Sequence, residues 1–339
     1  MTTPPPALTL AQLGWHPFFA AQIDADALTE TPPVRVMRVH RSGLDVQGEG
    51  RAETLPPDAE VTVGDWLLLG GDGRPLERRS LIRRRAPGRD REVQLVAANV
   101  DTVFVTTSCN ADFNVARLER YLALAFEAGC DPVIVLTKAD LSDEVDDYVA
   151  RAAALSPLVP VLAVNAKAAA AREALMPWCG PGRTVAFLGT SGVGKSTLLN
   201  ALAGVETAAT GAIREDDARG RHTTTRRELH VVPGGFCVID TPGMRELQLT
   251  DAAGGIGEVF ADIAELAGGC RFSDCAHLSE PGCAVRAAVA AGDLDPDRLE
   301  RWRKLAAEDA HNTADIAERR RRDKAFGKKV RAATRAKRR

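Results

Sequence analysis

Between Val34 and Leu69, apolar and polar residues alternate in short runs: Val34 to His40, Gly43 to Gln47, Arg51 to Leu55 and Val61 to Leu69. Ser42-Gly43, Pro56-Pro57 and Gly70 to Gly73 break them. Period-two runs between Gly and Pro turns predict short strands, and several in succession predict a small all-β barrel. The pattern changes at about Glu92. Unbroken apolar runs (Val100 to Thr106, Pro132 to Leu136, Val159 to Val164, Thr184 to Leu188, Phe236 to Ile239) then alternate with runs of helical period (Val115 to Ala128, Val145 to Leu155, Lys195 to Ala203). A strand buried on both faces is apolar throughout, so the alternation predicts a parallel sheet covered by helices. From about Asp251 the chain is Ala-rich and helical in pattern. The expected organisation is a leader at 1–33, a barrel at 34–91, an α/β core at 92–250, a helical domain at 251–318 and a tail at 319–339.

Gly189-Thr190-Ser191-Gly192-Val193-Gly194-Lys195-Ser196 stands between a predicted strand and a predicted helix, with Thr197 next. This is a P-loop in its required context. Its glycines let backbone N–H groups converge on phosphate oxygens, Lys195 reaches the β and γ phosphates, and the Ser196 hydroxyl ligates Mg2+. Asp240-Thr241-Pro242-Gly243 follows the strand Phe236 to Ile239. Asp240 there can hold the magnesium, and Gly243 can bring an N–H to the γ-phosphate. In the polar stretch Gly220 to Thr225, Thr223 and Thr224 are the candidates to close the metal shell, and spacing does not choose between them.

Base identity is read from Thr137-Lys138-Ala139-Asp140, after another strand. A carboxylate at Asp140 accepts from both N1–H and the exocyclic amine of guanine, a donor pair that adenine lacks, while the Lys138 stem packs along the ring. Asn165-Ala166 form a second candidate base loop. GTP and GDP are thus the expected nucleotides. Both base loops precede the P-loop, the reverse of the usual order, so the expected core is circularly permuted: a pocket needs its loops adjacent in space, not in sequence.

Cys270, Cys275, His277 and Cys283 offer three thiolates and an imidazole at C-x4-C-x-H-x5-C spacing, enough for a closed structural Zn2+ site. Cys109, Cys130, Cys179 and Cys237 sit singly among apolar or small residues and are expected to be buried thiols. The net charge of −2 conceals a tail, Arg319 to Arg339, with twelve Lys or Arg and one acid. Eight arginines between Arg74 and Arg91 (74, 78, 79, 83, 84, 85, 89 and 91) form a second basic run. Two such patches on an otherwise acidic chain point to a polyanion partner. No apolar run approaches the roughly 20 residues of a membrane span, and the expected location is cytoplasmic.

In this order the motifs resemble the circularly permuted, ribosome small-subunit-dependent GTPases, the ribosome biogenesis GTPase A family. The resemblance runs from about Val34 through the Cys/His region and includes Gly64-Asp65-Trp66 and Arg221-His222-Thr223-Thr224. It implies an OB-fold at 34–91, a permuted GTPase core, a zinc domain, and GTP hydrolysis to GDP and phosphate stimulated by RNA or the ribosome. The implied partners are the small ribosomal subunit, during its late maturation, and its rRNA; the implied state is a monomer. Thr137 departs from the asparagine many GTPases carry, Asn165 from the commoner serine, and the leader has no counterpart.

Met244 stands where Ras-like enzymes carry the glutamine that orients the attacking water. A thioether cannot do so, which makes slow intrinsic turnover the expectation, with His222 or a ribosomal group positioning the water instead. Gly192 occupies the P-loop position where potassium-activated GTPases present asparagine. A P-loop kinase or ATPase, and an RNA-binding module with an inactive pocket, are the competing functions; Lys138 with Asp140 weighs against the first, and intact Lys195, Ser196 and Asp240 against the second.

Overall fold

The computed structural model describes residues 8–24, 27–70, 73, 75–85, 93–203, 227–240, 249 and 251–313. His222, Thr223, Thr224, Gly243, Met244, Arg74, Arg89, Arg91 and the tail 319–339 lie outside them. The chain divides into two compact units, Met1–Leu247 and Gln248–Arg339.

In the first unit two short helices, α1 (Pro17–Ala20) and α2 (Ala27–Glu30), precede β1 (Pro33–His40), β2 (Gly43–Gly48), β3 (Arg51–Leu55), β4 (Trp66–Leu68), β5 (Leu81–Arg85) and β6 (Val93–Ala98). The α/β part follows as β7 (Thr102–Ser108), α3 (Val115–Glu127), β8 (Asp131–Thr137), α4 (Val145–Ala153), β9 (Val161–Ala163), α5 (Ala170–Leu175), β10 (Thr184–Leu188), α6 (Lys195–Ala203), β11 (Arg227–Val232) and β12 (Phe236–Asp240). The large sheet runs β3-β2-β1-β11-β12-β10-β7-β8-β9, with β4 also on β1, and β5 pairs with β6 apart from it. β12, β10, β7, β8 and β9 are mutually parallel, as the apolar runs predict.

Every residue of β7 and β10 is buried, and one face of the sheet, carrying Phe104, Val133 and Phe236, packs with Leu175 of α5 and Leu198 of α6 in a single core cluster. α3 starts where Asn114 Oδ1 accepts the Arg117 N–H at 2.9 Å, replacing a bond that a first helical turn lacks. The run Val61 to Leu69 is a strand only over Trp66–Leu68. Gly64 sits at φ +89°, where a Cβ would lie 2.1 Å from Ala98 O, and the Asp65 carboxylate accepts from Thr62 N at 2.8 Å, so the chain turns through Thr62 to Asp65 and a regular strand begins only at Trp66.

The antiparallel strands β1 to β4 are continuous with the parallel part through β11, which the sequence patterns miss. The leader packs as well: Leu13, Phe19 and Trp66 are fully buried together, and the Trp15 ring meets Trp66 edge-on at 4.7 Å. Arg35 on β1 is 1% exposed. Its guanidinium donates to Leu13 O, to Asn99 O at 3.2 Å and to Thr184 Oγ1 at 2.9 Å, joining leader, N-terminal strands and β10. Burial lowers its pKa, opposed by Cys237, Asp101 and Asp65. Arg35→Ala strands these buried acceptors and opens a cavity; the expected loss is about 3 kcal/mol or more, read as a lowered urea midpoint.

The second unit holds α7 (Ala253–Val259), α8 (Ala261–Ala267), α9 (Ala284–Ala291) and a long helix α10 over 296–313. Ile256, Phe260, Ile263, Val285 and Leu299 are buried. Arg298 forks onto both Asp262 oxygens, at 2.7 and 2.9 Å, and lies over the Phe260 ring. Among the described residues no helix is long and apolar enough to cross a membrane.

Candidate functional site

β10 lies between β12 and β7, and its carboxyl end opens into the P-loop. Gly189 crosses β7 so closely that a Cβ would sit 2.2 Å from Thr106 O. Gly192 and Gly194 take φ of +79° and +95°, conformations that favour glycine. Val193 is buried and anchors the loop, while Ser196 is exposed on the first turn of α6 with Thr197 half-buried behind it. Lys195 Nζ donates to Gly189 O at 2.8 Å and to Thr190 O, which arches the ammonium over the loop's own backbone.

β8 lies on the far side of β7 and ends at Thr137. Thr137 is fully buried. Its Oγ1 is 2.6 Å from Val193 O and 3.1 Å from Thr107 O; the hydroxyl has one proton to give, and the shorter contact is the P-loop carbonyl. A Cβ on Gly194 would be 3.5 Å from the Thr137 methyl. Thr137 therefore faces the phosphate loop, and the residues turned outward are those that follow it. Lys138 adopts φ +58°, a left-handed conformation costly for a non-glycine residue, and swings Asp140 into an exposed position in the short 3-10 turn Ala139–Leu141.

The second candidate base loop abuts the first. Val164 N donates to Leu136 O at 2.8 Å and Ala139 N to Val164 O at 3.4 Å. Asn165 Oδ1 accepts from Lys167 N at 3.0 Å, turning the chain, and Ala166 is buried against the core. Asp240 ends β12, the other neighbour of β10, at the register position opposite Glu228 of β11. The P-loop, the Lys138–Asp140 turn, Asn165-Ala166 and Asp240 thus gather at the carboxyl ends of adjacent parallel strands, where open α/β sheets bind ligands.

In the second unit Cys270, Cys275, His277 and Cys283 bring one ligand atom each to within 4.8 Å of one another. Cys270 Sγ lies 3.9 Å from Cys283 Sγ and 3.6 Å from His277 Nδ1, and His277 Nδ1 lies 3.4 Å from Cys283 Sγ. A tetrahedral zinc with bonds of about 2.3 Å to sulfur and about 2.0–2.1 Å to nitrogen needs S···S near roughly 3.8 Å and S···N near roughly 3.6 Å, so the donor set fits. Local structure prepares it. Cys283 caps α9, its sulfur accepting the Arg286 N–H at 3.5 Å. At Cys270 burial opposes ionisation but is outweighed by the Val285 and Ala284 N–H groups of the same helix start and by the neighbouring thiols, and the pKa falls. Burial lowers the His277 pKa, favouring the neutral ring that binds metal. Cys109, Cys130, Cys179 and Cys237 are buried, and burial pushes Cys130 and Cys179 up to about 12, as suits inert thiols.

The arginine run divides. Arg78 forks onto Asp65, with Nε–Oδ1 at 2.7 Å and Nη2–Oδ2 at 2.8 Å, and Arg79 pairs with Asp101 at 2.8 Å. Arg84 donates to Gln94 at 3.0 Å, and Arg83 is exposed. Arg78 and Arg79 thus brace the fold, a role that a count of basic residues cannot distinguish from RNA contact.

The RsgA GTPase family model matches residues 75–250. Small ribosomal subunit biogenesis GTPase RsgA 2 of Vibrio parahaemolyticus is 50% identical over 331 residues, covering 95% of this chain and 92% of that protein. The chain belongs to the RsgA GTPase family. The Mesorhizobium japonicum protein Small ribosomal subunit biogenesis GTPase RsgA is 52% identical over 317 residues, or 90% of this chain and 91% of its own. YjeQ from Thermotoga maritima shares the structure with a TM-score of 0.57 at 26% identity, over 80% of this chain and 96% of that one. YloQ, a circularly permuted GTPase, shares the fold with a TM-score of 0.56 at 24% identity, over 82% and 95%. An ABC transporter model also matches, over 178–323, a stretch containing the same P-loop. As an RsgA GTPase the chain takes GTP and GDP, chemistry that implies Mg2+, on a circularly permuted core.

Proposed function

We propose that this RsgA GTPase binds the small ribosomal subunit through its rRNA, is stimulated by it, and acts late in its maturation as a cytoplasmic monomer. The observation that carries the nucleotide assignment is the 2.6 Å contact from Thr137 Oγ1 to Val193 O, which holds the base-reading turn against the phosphate loop. In this reading Gly189 to Thr197 cradle the phosphates, Lys195 offsets their charge, and Asp140, Lys138, Asn165 and Ala166 bound the guanine. Ser196, Asp240 and Thr223 or Thr224 hold Mg2+, which supplies charge neutralisation at the β and γ phosphates. Gly243 contributes an N–H to the γ-phosphate. Cys270, Cys275, His277 and Cys283 hold one structural Zn2+. The N-terminal strands form an OB-type surface that meets RNA together with the basic tail.

In this reading His222 positions the attacking water when the subunit is bound, because the Met244 thioether cannot. GTP turnover titrated with purified small subunits should rise on the order of 10²-fold, within what positioned proton transfer contributes. His222→Ala should lose most of that rise with GDP affinity unchanged. Equal, fast turnover with and without subunits in both proteins rules this out. ATP is the competing substrate, since the P-loop also fits the ABC transporter pattern. Excess ATP that displaced bound GDP as well as GTP does would favour it.

A further inference from the structure

β11 is the strand that follows Thr223-Thr224-Thr225 in the chain, and both of its first residues are held by the N-terminal strands. Arg227 Nη1 donates to Leu95 O of β6 at 2.6 Å, and burial lowers the pKa of that guanidinium, with Arg84 adding to the effect. Glu228 Oε1 lies 2.8 Å from Arg38 Nε of β1, close enough to pair although the N–H is not aligned for a hydrogen bond. Arg38 and Glu228 are register partners across β1 and β11, and Glu228 and Asp240 are register partners across β11 and β12. Arg38, Glu228 and Asp240 therefore form one row across three strands. It leads from the N-terminal sheet to the strand end where the proposed magnesium aspartate sits.

The link is slender. β1 and β11 pair through Arg38–Glu228 and Val39–Arg227 only. The ion pair is partly exposed, with Arg38 at 42% and Glu228 at 21%, so it adds little to stability. Beside it lies an open surface groove of about 450 Å³ bordered by Arg38, Asp45, Gln47, Glu53, Thr54 and Glu228, so the pair is accessible from the face of the N-terminal strands. Arg38 also reaches Asp45 Oδ2 at 3.4 Å, and Asp45 is held by Thr54 at 3.0 Å and His40 at 3.2 Å, so Arg38 moves with the meander β1–β3. His230 Nε2 faces Glu228 from β11 itself at 3.7 Å.

We infer that Arg38 and Glu228 are positioning residues: RNA docked on the N-terminal strands shifts β1, and the ion pair carries that shift to β11 and the end of β12, setting the rate of GTP hydrolysis. This rests on the RNA-stimulated activity proposed above. It separates two tasks, because neither residue is among those the proposed function assigns to nucleotide or magnesium, and each affects only how docking is felt at the pocket.

The test is GTP turnover of the full chain, with and without purified small subunits, for wild type, Arg38→Gln, Glu228→Gln, the double variant, and the charge exchange Arg38→Glu with Glu228→Arg. Both single variants should keep intrinsic kcat, GDP affinity and thermal midpoint close to wild type, and lose at least about tenfold of the stimulated kcat at saturating subunits. The double variant should be no worse than either single, as members of one pathway are, and the charge exchange should recover part of the stimulation. Wild-type stimulation in both single variants, or losses that add in the double, overturns the relay and leaves the functional proposal standing. A wild type that subunits do not stimulate defeats the functional proposal and this inference together.

Discussion

Asp140→Asn will convert the pocket from guanine to xanthine nucleotides. A carboxylate accepts two hydrogen bonds from guanine, whereas an amide has one acceptor and one donor, the pattern that matches xanthine's N1–H and C2 carbonyl. Buried-quality polar contacts reject a mismatched partner strongly, by as much as about 10⁴ to 10⁵ where a site is built around them. Asp140 is exposed and its turn retains a rim open to water, so a loss of about 10² to 10³ in GTP affinity is the expected size. The fold should be unaffected, because the turn is held by backbone: Lys138 at φ +58°, Leu141 N to Lys138 O at 3.0 Å and Ala139 N to Val164 O. Competition of GTP and XTP against a fluorescent GDP analogue measures the switch. Unchanged GTP affinity would remove Asp140 from base recognition.

Cys283→Ser, or treatment with a strong chelator, should unfold the region around α9 while GDP binding survives as a control on the rest of the chain. Cys283 offers one of the four sulfur or nitrogen ligand atoms of the proposed zinc site and is also the residue at which α9 starts. His277, at φ +58°, is kept in place by its ring contact with Trp302 at 5.3 Å and by Arg303, which donates to its carbonyl. Structural zinc sites contribute about 10–16 kcal/mol of apparent binding energy at pH 7, more than the few buried side chains of this loop can replace. Elemental analysis should give one zinc per chain, and circular dichroism should report helix loss on chelation. Helix content that survived metal-free would exclude a structural zinc.

Local chemistry was legible where a function needs particular residues at close spacing. The P-loop, the Lys138–Asp140 turn and the Cys/His cluster each lie within about fifteen consecutive residues, and the structure brings the first two to one edge of the sheet and the cluster's four ligand atoms together. The leader was opaque because its apolar residues, Leu10, Leu13, Trp15, Phe18 and Phe19, are too few and too interrupted by polar positions to declare a period. Their spacing over one short stretch was nonetheless a signal that it packs. β11 was missed for a related reason: Arg227, Glu228 and His230 break its apolar run, and two of those side chains are spent on the N-terminal strands rather than on solvent.

The order of motifs alone established that the core is permuted, since it depends only on which segment comes first and every parallel strand delivers its loop to the same end. The functional groups those segments carry also pointed to a guanine nucleotide, as the family match bears out, and to the zinc proposed for the Cys/His cluster. Which atoms meet was decided by tertiary structure. Thr137, grouped by sequence with the base loop, turns its hydroxyl to the phosphate loop 56 residues away; Arg78 and Arg79, grouped with an RNA patch, brace buried carboxylates; and Arg35 joins three segments from a fully buried site. A side chain's partners follow from the face of the strand it leaves and from what packs across from it, and neither is written within its own few neighbours in the chain.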